Sequence, residues 1–142
     1  TNIIPDEVRL EGTFRAMDEE FRNYAHQRIH AIVNEICEAY QGTAEITLDK
    51  GYPCLINDTS ASIKWNEYAS EYIGIQNVAK VPPRMTSEDF SYYSQHIPAC
   101  FYRLGVGETT QVHTSSFNPD EGAIAEGAGL LTWLALRFLG NT

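Results

Sequence analysis

A chain of 142 residues can bury one ordinary hydrophobic core, and its 43% hydrophobic and 20% charged residues exclude a disordered or fibrous polypeptide. The formal charge of −9 speaks against a nucleic-acid partner, because a phosphate backbone would be repelled by the summed surface field. Cys37, Cys54 and Cys100 are odd in number and far apart, so they indicate neither a disulfide framework nor a CxxC metal site and read as buried or half-buried thiols.

The opening Thr1-Asn2-Ile3-Ile4-Pro5 lacks a basic region followed by an apolar stretch, so no signal peptide is indicated. There is no starting methionine, and the chain is expected to begin part-way through a longer polypeptide. From Glu7 to Ala16 apolar or small residues alternate with polar ones, which predicts a half-buried strand. Asp18 is a candidate N-cap for an amphipathic helix running from Phe21 through Tyr40 and stopping near Gly42. A second alternating strand follows at Ala44, Ile46 and Leu48, so that the first part describes a two-layer α+β unit.

Asn57-Asp58-Thr59-Ser60 is a capping junction leading into a helix that Gly74 ends, and Val81-Pro82-Pro83 reads as extended chain. A short helix over about Ser87 to His96 and a short strand around Cys100 to Leu104 come next. Asn118-Pro119-Asp120-Glu121 offers a cap, a proline at the first helical position and acids in the first turn, predicting a helix from Pro119 to about Leu139. Apolar or small residues occupy nearly its whole circumference, so it should lie against a large sheet, and one short strand is too little partner. The shortage suggests a piece of something larger, with an exposed apolar patch and a tendency to self-associate. This helix, with Trp133 and Arg137 inside it, is the longest apolar run and is expected to fall short of a membrane span.

Candidate chemistry is sparse. His26 and His30 share the i, i+4 spacing of zinc helices, but Gln27 stands where the catalytic glutamate would be, and a solvated helix face is the simpler reading. His96 reads as a helix-end or surface residue. His113 lies in a polar loop between a predicted strand and the capped helix, a position where α/β folds gather ligands, although a histidine without neighbours is usually structural. Glu88 and Asp89 sit in the first turn of a short helix, either compensating its dipole or lining a pocket and orienting a metal-bound imidazole. Arg15 could clasp a carboxylate with its planar donors, or simply be an exposed strand arginine.

Three stretches together carry a resemblance: Asn-Ile-Ile-Pro-Asp-Glu-Val-Arg-Leu-Glu-Gly-Thr-Phe-Arg at 2–15, Ser-Glu-Asp-Phe-Ser at 87–91 and His-Thr-Ser-Ser-Phe-Asn-Pro-Asp-Glu at 113–121. In order and spacing they resemble the C-terminal portion of the aminoacylase and carboxypeptidase type of dinuclear metallopeptidase, in particular its amidohydrolase branch with hippurate hydrolase and N-acyl-amino-acid amidohydrolases. The resemblance covers nearly the whole chain. It implies an α/β fold with an α+β lid. Residues 1–58 would be the second half of a ferredoxin-like lid or dimerisation domain, and 59–142 the closing segment of the catalytic domain.

The resemblance further implies that His113 is a metal ligand, that Asn2 and Arg15 hold the substrate carboxylate, and that Glu88 and Asp89 line the pocket or support a ligand. The family's other ligands, a Cys-Gly-His type segment, a glutamate and a histidine, and its general-base glutamate match nothing here, and none of the three cysteines sits in such a segment. Two divalent ions, zinc or manganese, are implied for the complete enzyme, where they would activate water against the amide. The expected function is therefore that of a fragment of a metal-dependent amidohydrolase cleaving N-acyl amino acids or related peptide-like substrates, inactive in isolation. A homodimer through the lid, a cytoplasmic location, and neither a nucleic-acid nor a membrane partner complete the expectation. The rival is a non-catalytic α+β module for dimerisation or ligand binding.

Overall fold

The computed structural model describes residues 2 to 140. Its regular structure is helical: α1 Glu19–Ala39, α2 Thr59–Ile73, a single 3-10 turn at Ile75–Asn77, α3 Ser91–Ser94 and α4 Gly122–Leu139. The chain divides into two compact units, Thr1–Cys54 with Arg84–Ser87 and Leu55–Pro83 with Glu88–Thr142.

In the first unit α1 starts where the sequence places it. The Asp18 carboxylate accepts from the Phe21 N–H at 2.6 Å, satisfying one of the helix's unpaired first-turn donors. The far end is closed by a reciprocal pair of backbone bonds, Gly42 N–H to Cys37 C=O at 2.8 Å and Gln41 N–H to Glu38 C=O at 3.0 Å. The left-handed residue this turn requires is Gln41, at φ 59, and not the glycine after it. Arg22 is buried and fastens the first turn of α1 to the chain beyond it: its guanidinium takes the Glu19 carboxylate in a two-pronged grip and donates to the Lys50 carbonyl. The same carboxylate accepts the Cys54 N–H at 3.0 Å.

The strands expected at 7–16 and 44–48 are not present among the described residues; both segments lack regular secondary structure. An alternating segment becomes a strand only when a neighbour takes its N–H and C=O groups. No backbone pairing of either segment occurs among the described residues, and Val8 and Leu10, on the apolar side of the first, stand 71% and 90% exposed.

The second unit is built on α2 and α4. Tyr68 and Ala69 of α2 meet Leu130 and Leu134 of α4 in a small core, with Trp65, Val78, Tyr102 and Trp133 packed around it. Gly129 lets the helices approach closely, since a Cβ there would sit 1.9 Å from the Tyr72 hydroxyl. Trp133 Nε1 donates to the Tyr68 carbonyl at 2.9 Å, and Arg137 pairs with Glu71 at 3.0 Å while its guanidinium covers the Tyr68 ring at 4.6 Å. The strand expected around Cys100 to Leu104 is also absent. The Asn57 side chain instead mimics a ladder partner, donating to the Phe101 carbonyl at 2.9 Å and accepting the Phe101 N–H at 2.8 Å.

Two helices differ from expectation. The one anticipated over 87–96 shrinks to α3, with turns on either side. The last begins at Gly122 and not at Pro119: Asp120 is drawn off by its N–H bond to the Val106 carbonyl, and its carboxylate receives the Gly122 N–H at 2.8 Å, so Asn118 does not cap. Only Leu130 and Leu134 of α4 are buried, whereas Ile124, Leu131, Leu136 and Leu139 are 61–75% exposed. The apolar patch expected of this helix is therefore present. Its 18 residues, at mean hydropathy 1.3, are long and apolar enough to cross a membrane, which corrects the expectation that the run falls short. Length and composition alone are weak evidence of a span.

Candidate functional site

His113 lies in the second unit, in the loop between Val106 and α4, and is exposed to solvent. It is one of two non-glycine residues with positive φ among the described residues, at 67°. A left-handed conformation costs an L residue about 1–2 kcal/mol, so the surrounding loop must hold it. Hydroxyls do so: Thr114 Oγ1 donates to the Gln111 carbonyl at 2.8 Å and lies 3.3 Å from Thr110 Oγ1, Ser116 Oγ joins Thr110 at 3.3 Å, and Thr109 Oγ1 accepts the Asn118 N–H at 3.1 Å. The polar character of this loop is legible in Thr114-Ser115-Ser116, while the part played by Thr109 and Thr110 on the other side of the histidine is not.

Glu88 and Asp89 lie in the same unit just before α3. Glu88 is half-buried and turns its carboxylate onto its own chain, accepting the Phe90 N–H at 3.2 Å, while the carbonyls of Glu88 and Asp89 accept from Ser91 and Tyr92. Neither carboxylate bonds to His113. In the first unit Asn2 and Arg15 are both exposed and share no hydrogen bond. Arg15 donates to the Met85 carbonyl at 2.7 Å through one terminal nitrogen, which leaves the rest of its fork without a protein partner.

No group of three or more His, Cys, Asp or Glu that could hold an ion occurs among the described residues, and one imidazole does not hold a divalent ion tightly. The residues present do not by themselves make a metal centre. The cysteines form no disulfide and are half-buried, as anticipated, and burial pushes the Cys54 and Cys100 thiols up from their ordinary value, which disfavours the thiolate needed for ligation or attack.

One histidine reading is overturned. His26 is 9% exposed, not part of a solvated face. Its ring stands edge-on to Phe14 with centroids 6.1 Å apart, and its Nδ1 is shut off from solvent without a hydrogen-bond partner. His30, one turn on, is exposed as expected. Both border a cavity of about 290 Å³ with Asn23, Gln27, Leu48 and Lys50.

Comparison with known proteins gives these segments a context. The family model for Peptidase family M20/M25/M40 matches residues 3–137. An N-acetyldiaminopimelate deacetylase of a Geobacillus species is 34% identical over 136 residues, 93% of this chain and 36% of that protein. An N-acetyl-L-cysteine deacetylase of Bacillus subtilis is 34% identical over 138 residues, 97% of this chain and 33% of the relative. Thermostable carboxypeptidase 2 of Saccharolobus solfataricus is 32% identical over 143 residues, 96% of this chain and 36% of its own length. The chain thus spans about a third of the length of the curated relatives it matches. No solved structure matches it.

Proposed function

Because the chain belongs to peptidase family M20/M25/M40, whose model covers residues 3–137, we propose that it forms part of a metal-dependent amidohydrolase that hydrolyses the amide of N-acyl amino acids or related peptide-like substrates. The match to relatives named as deacetylases of two N-acetyl compounds over nearly the whole chain carries this reading. Within it, the alternating segments 7–16 and 44–48 and the segment around 100–104 become strands, the first two in an α+β lid that dimerises and the last in the catalytic α/β domain.

Each site residue then has a role its surroundings permit. His113, held at φ 67 in a hydroxyl-pinned loop, offers one imidazole to a zinc or manganese centre completed by residues outside this chain. Arg15 presents the free part of its guanidinium to the substrate carboxylate, beside Asn2. Glu88 and Asp89 border the pocket. Strain at a single non-glycine residue is a functional pointer when it falls on a side chain with chemistry to offer. A lone imidazole activates no water, so the chain by itself has negligible turnover.

The test is hydrolysis of a panel of N-acetyl amino acids, with Zn²⁺ or Mn²⁺, by the polypeptide encoded in the reading frame containing this chain and by the 142-residue chain. The longer polypeptide should release free amino acid and lose at least a hundredfold in rate on His113→Ala. Turnover by the shorter chain at the same rate, or a longer polypeptide indifferent to His113→Ala, would overturn the reading.

A further inference from the structure

We infer that His26 and His30 form the two imidazole arms of a second metal site, on α1, that takes a borderline divalent transition ion of the Ni²⁺, Cu²⁺ or Zn²⁺ class and involves none of the residues assigned above. Residues four apart in a helix lie one above the other on the same face, the spacing by which two histidines of one helix chelate zinc. Such a pair on a mobile surface is a weak chelator, because both rings must be immobilised. Here half of that ordering is already done: His26 is 9% exposed and its ring is fixed against Phe14, while the exposed His30 is free to swing toward it.

Nδ1 of His26 is buried and shut off from solvent, so Nε2 is the nitrogen through which this imidazole would reach an ion in the cavity. The adjoining cavity of about 290 Å³ has room for an ion and its waters, and its other lining side chains include the amides of Asn23 and Gln27. The Asn23 amide nitrogen donates to the Glu19 carbonyl at 3.0 Å, so the oxygen is the end left to a cation. Two imidazoles with amide and water oxygens are a donor set for borderline ions, not for Mg²⁺ or Ca²⁺. Gln27 has no carboxylate to act as a base, so the site would bind without hydrolysing, joining successive turns of α1. Lys50 on the cavity's edge opposes a cation; it is exposed, and its long stem lets the ammonium move away.

The experiment is calorimetric titration of the untagged chain with Ni²⁺ alone, with circular dichroism of each apo variant as the check on folding. One ion should bind per chain, and His30→Ala, at an exposed position that leaves the apo spectrum unchanged, should weaken binding at least tenfold. His96→Ala and His113→Ala should stay within twofold of the parent, and Lys50→Gln should bind as tightly or more tightly. The proposal is overturned if His30→Ala binds within twofold of the parent, or if His113→Ala removes the binding. A tenfold loss on Lys50→Gln would also overturn it, by revealing a cavity that holds an anion through its ammonium.

Discussion

Replacing Glu19 by Gln asks whether the first turn of α1 is held by charge or by shape. The carboxylate accepts Nε of Arg22 at 3.0 Å, a terminal nitrogen of the same guanidinium at 2.6 Å and the Cys54 N–H at 3.0 Å. The Arg22 side chain is 10% exposed and that of Glu19 34%. The Arg22 hydrogen bond, above all, holds the Glu19 carboxyl at about 2, against an ordinary 4.5. Taken whole, that difference corresponds to about 3.4 kcal/mol. A carboxylate one-third open to water keeps about half of this, roughly 1.5 to 2 kcal/mol, between the values for exposed and for buried pairs. The amide preserves the shape and one acceptor but leaves the buried Arg22 charge without its counter-charge. Urea unfolding at pH 7, followed by the helical signal, should show a loss of that size. Because folding lowers this pKa, its stabilisation is complete above 4.5 and fades as pH falls toward about 2. The gap between parent and variant should close over the same window. A gap below about 0.5 kcal/mol at pH 7, or one that persists undiminished at the acid end, would refute the reasoning.

Gln41→Gly should stabilise the first unit by about 1 kcal/mol, seen as a higher urea midpoint, because glycine adopts the observed φ of 59 without the cost a side chain meets. Leu130→Ala removes a side chain only 2% exposed from the α2–α4 core and should cost about 2–4 kcal/mol. Ile124→Ala on the open side of the same helix, at 73% exposure, should stay within about 0.5 kcal/mol of the parent. The exposed Ile124, Leu131 and Leu139 should drive concentration-dependent self-association in sedimentation, and Leu131→Glu should shift the chain toward monomer.

What was legible in the sequence was what the chain settles locally. Asp18 caps as read, Asp58 caps within the junction expected at 57–60, and the Gly74 stop, at φ 83, falls at the end of α2, because a cap and its donors are three residues apart. The start of α4 was misread by three residues: the Asn118-Pro119 signal is sound locally, but a longer-range bond from Asp120 to Val106 outweighs it. Alternation over 7–16 describes a face without supplying a partner, and backbone pairing is a long-range property that no local pattern contains. The burial of His26 was hidden for a related reason. Helical periodicity shows which residues share a face, but it does not reveal that Phe14, on the segment before the helix, folds back against that face.

The candidate site shows the same division between local and distant information. Motifs make His113, Arg15 and Asn2 visible as residue types at fixed intervals, while what holds the first two in place depends on the folded chain: the Thr110, Thr114 and Ser116 hydroxyls and the Met85 carbonyl. A motif records what chemistry a position can supply, and a centre needs several such positions converging within a few ångströms. None of the five assigned residues is paired with another inside its own unit, and no metal-sized group forms among the described residues. The proposed amidohydrolase reading therefore rests on family membership and not on a converged centre. The His26 and His30 pair is the reverse case: its geometry is on one helix and its cavity in one unit, so its metal affinity can be measured on this chain whether or not the amidohydrolase reading survives.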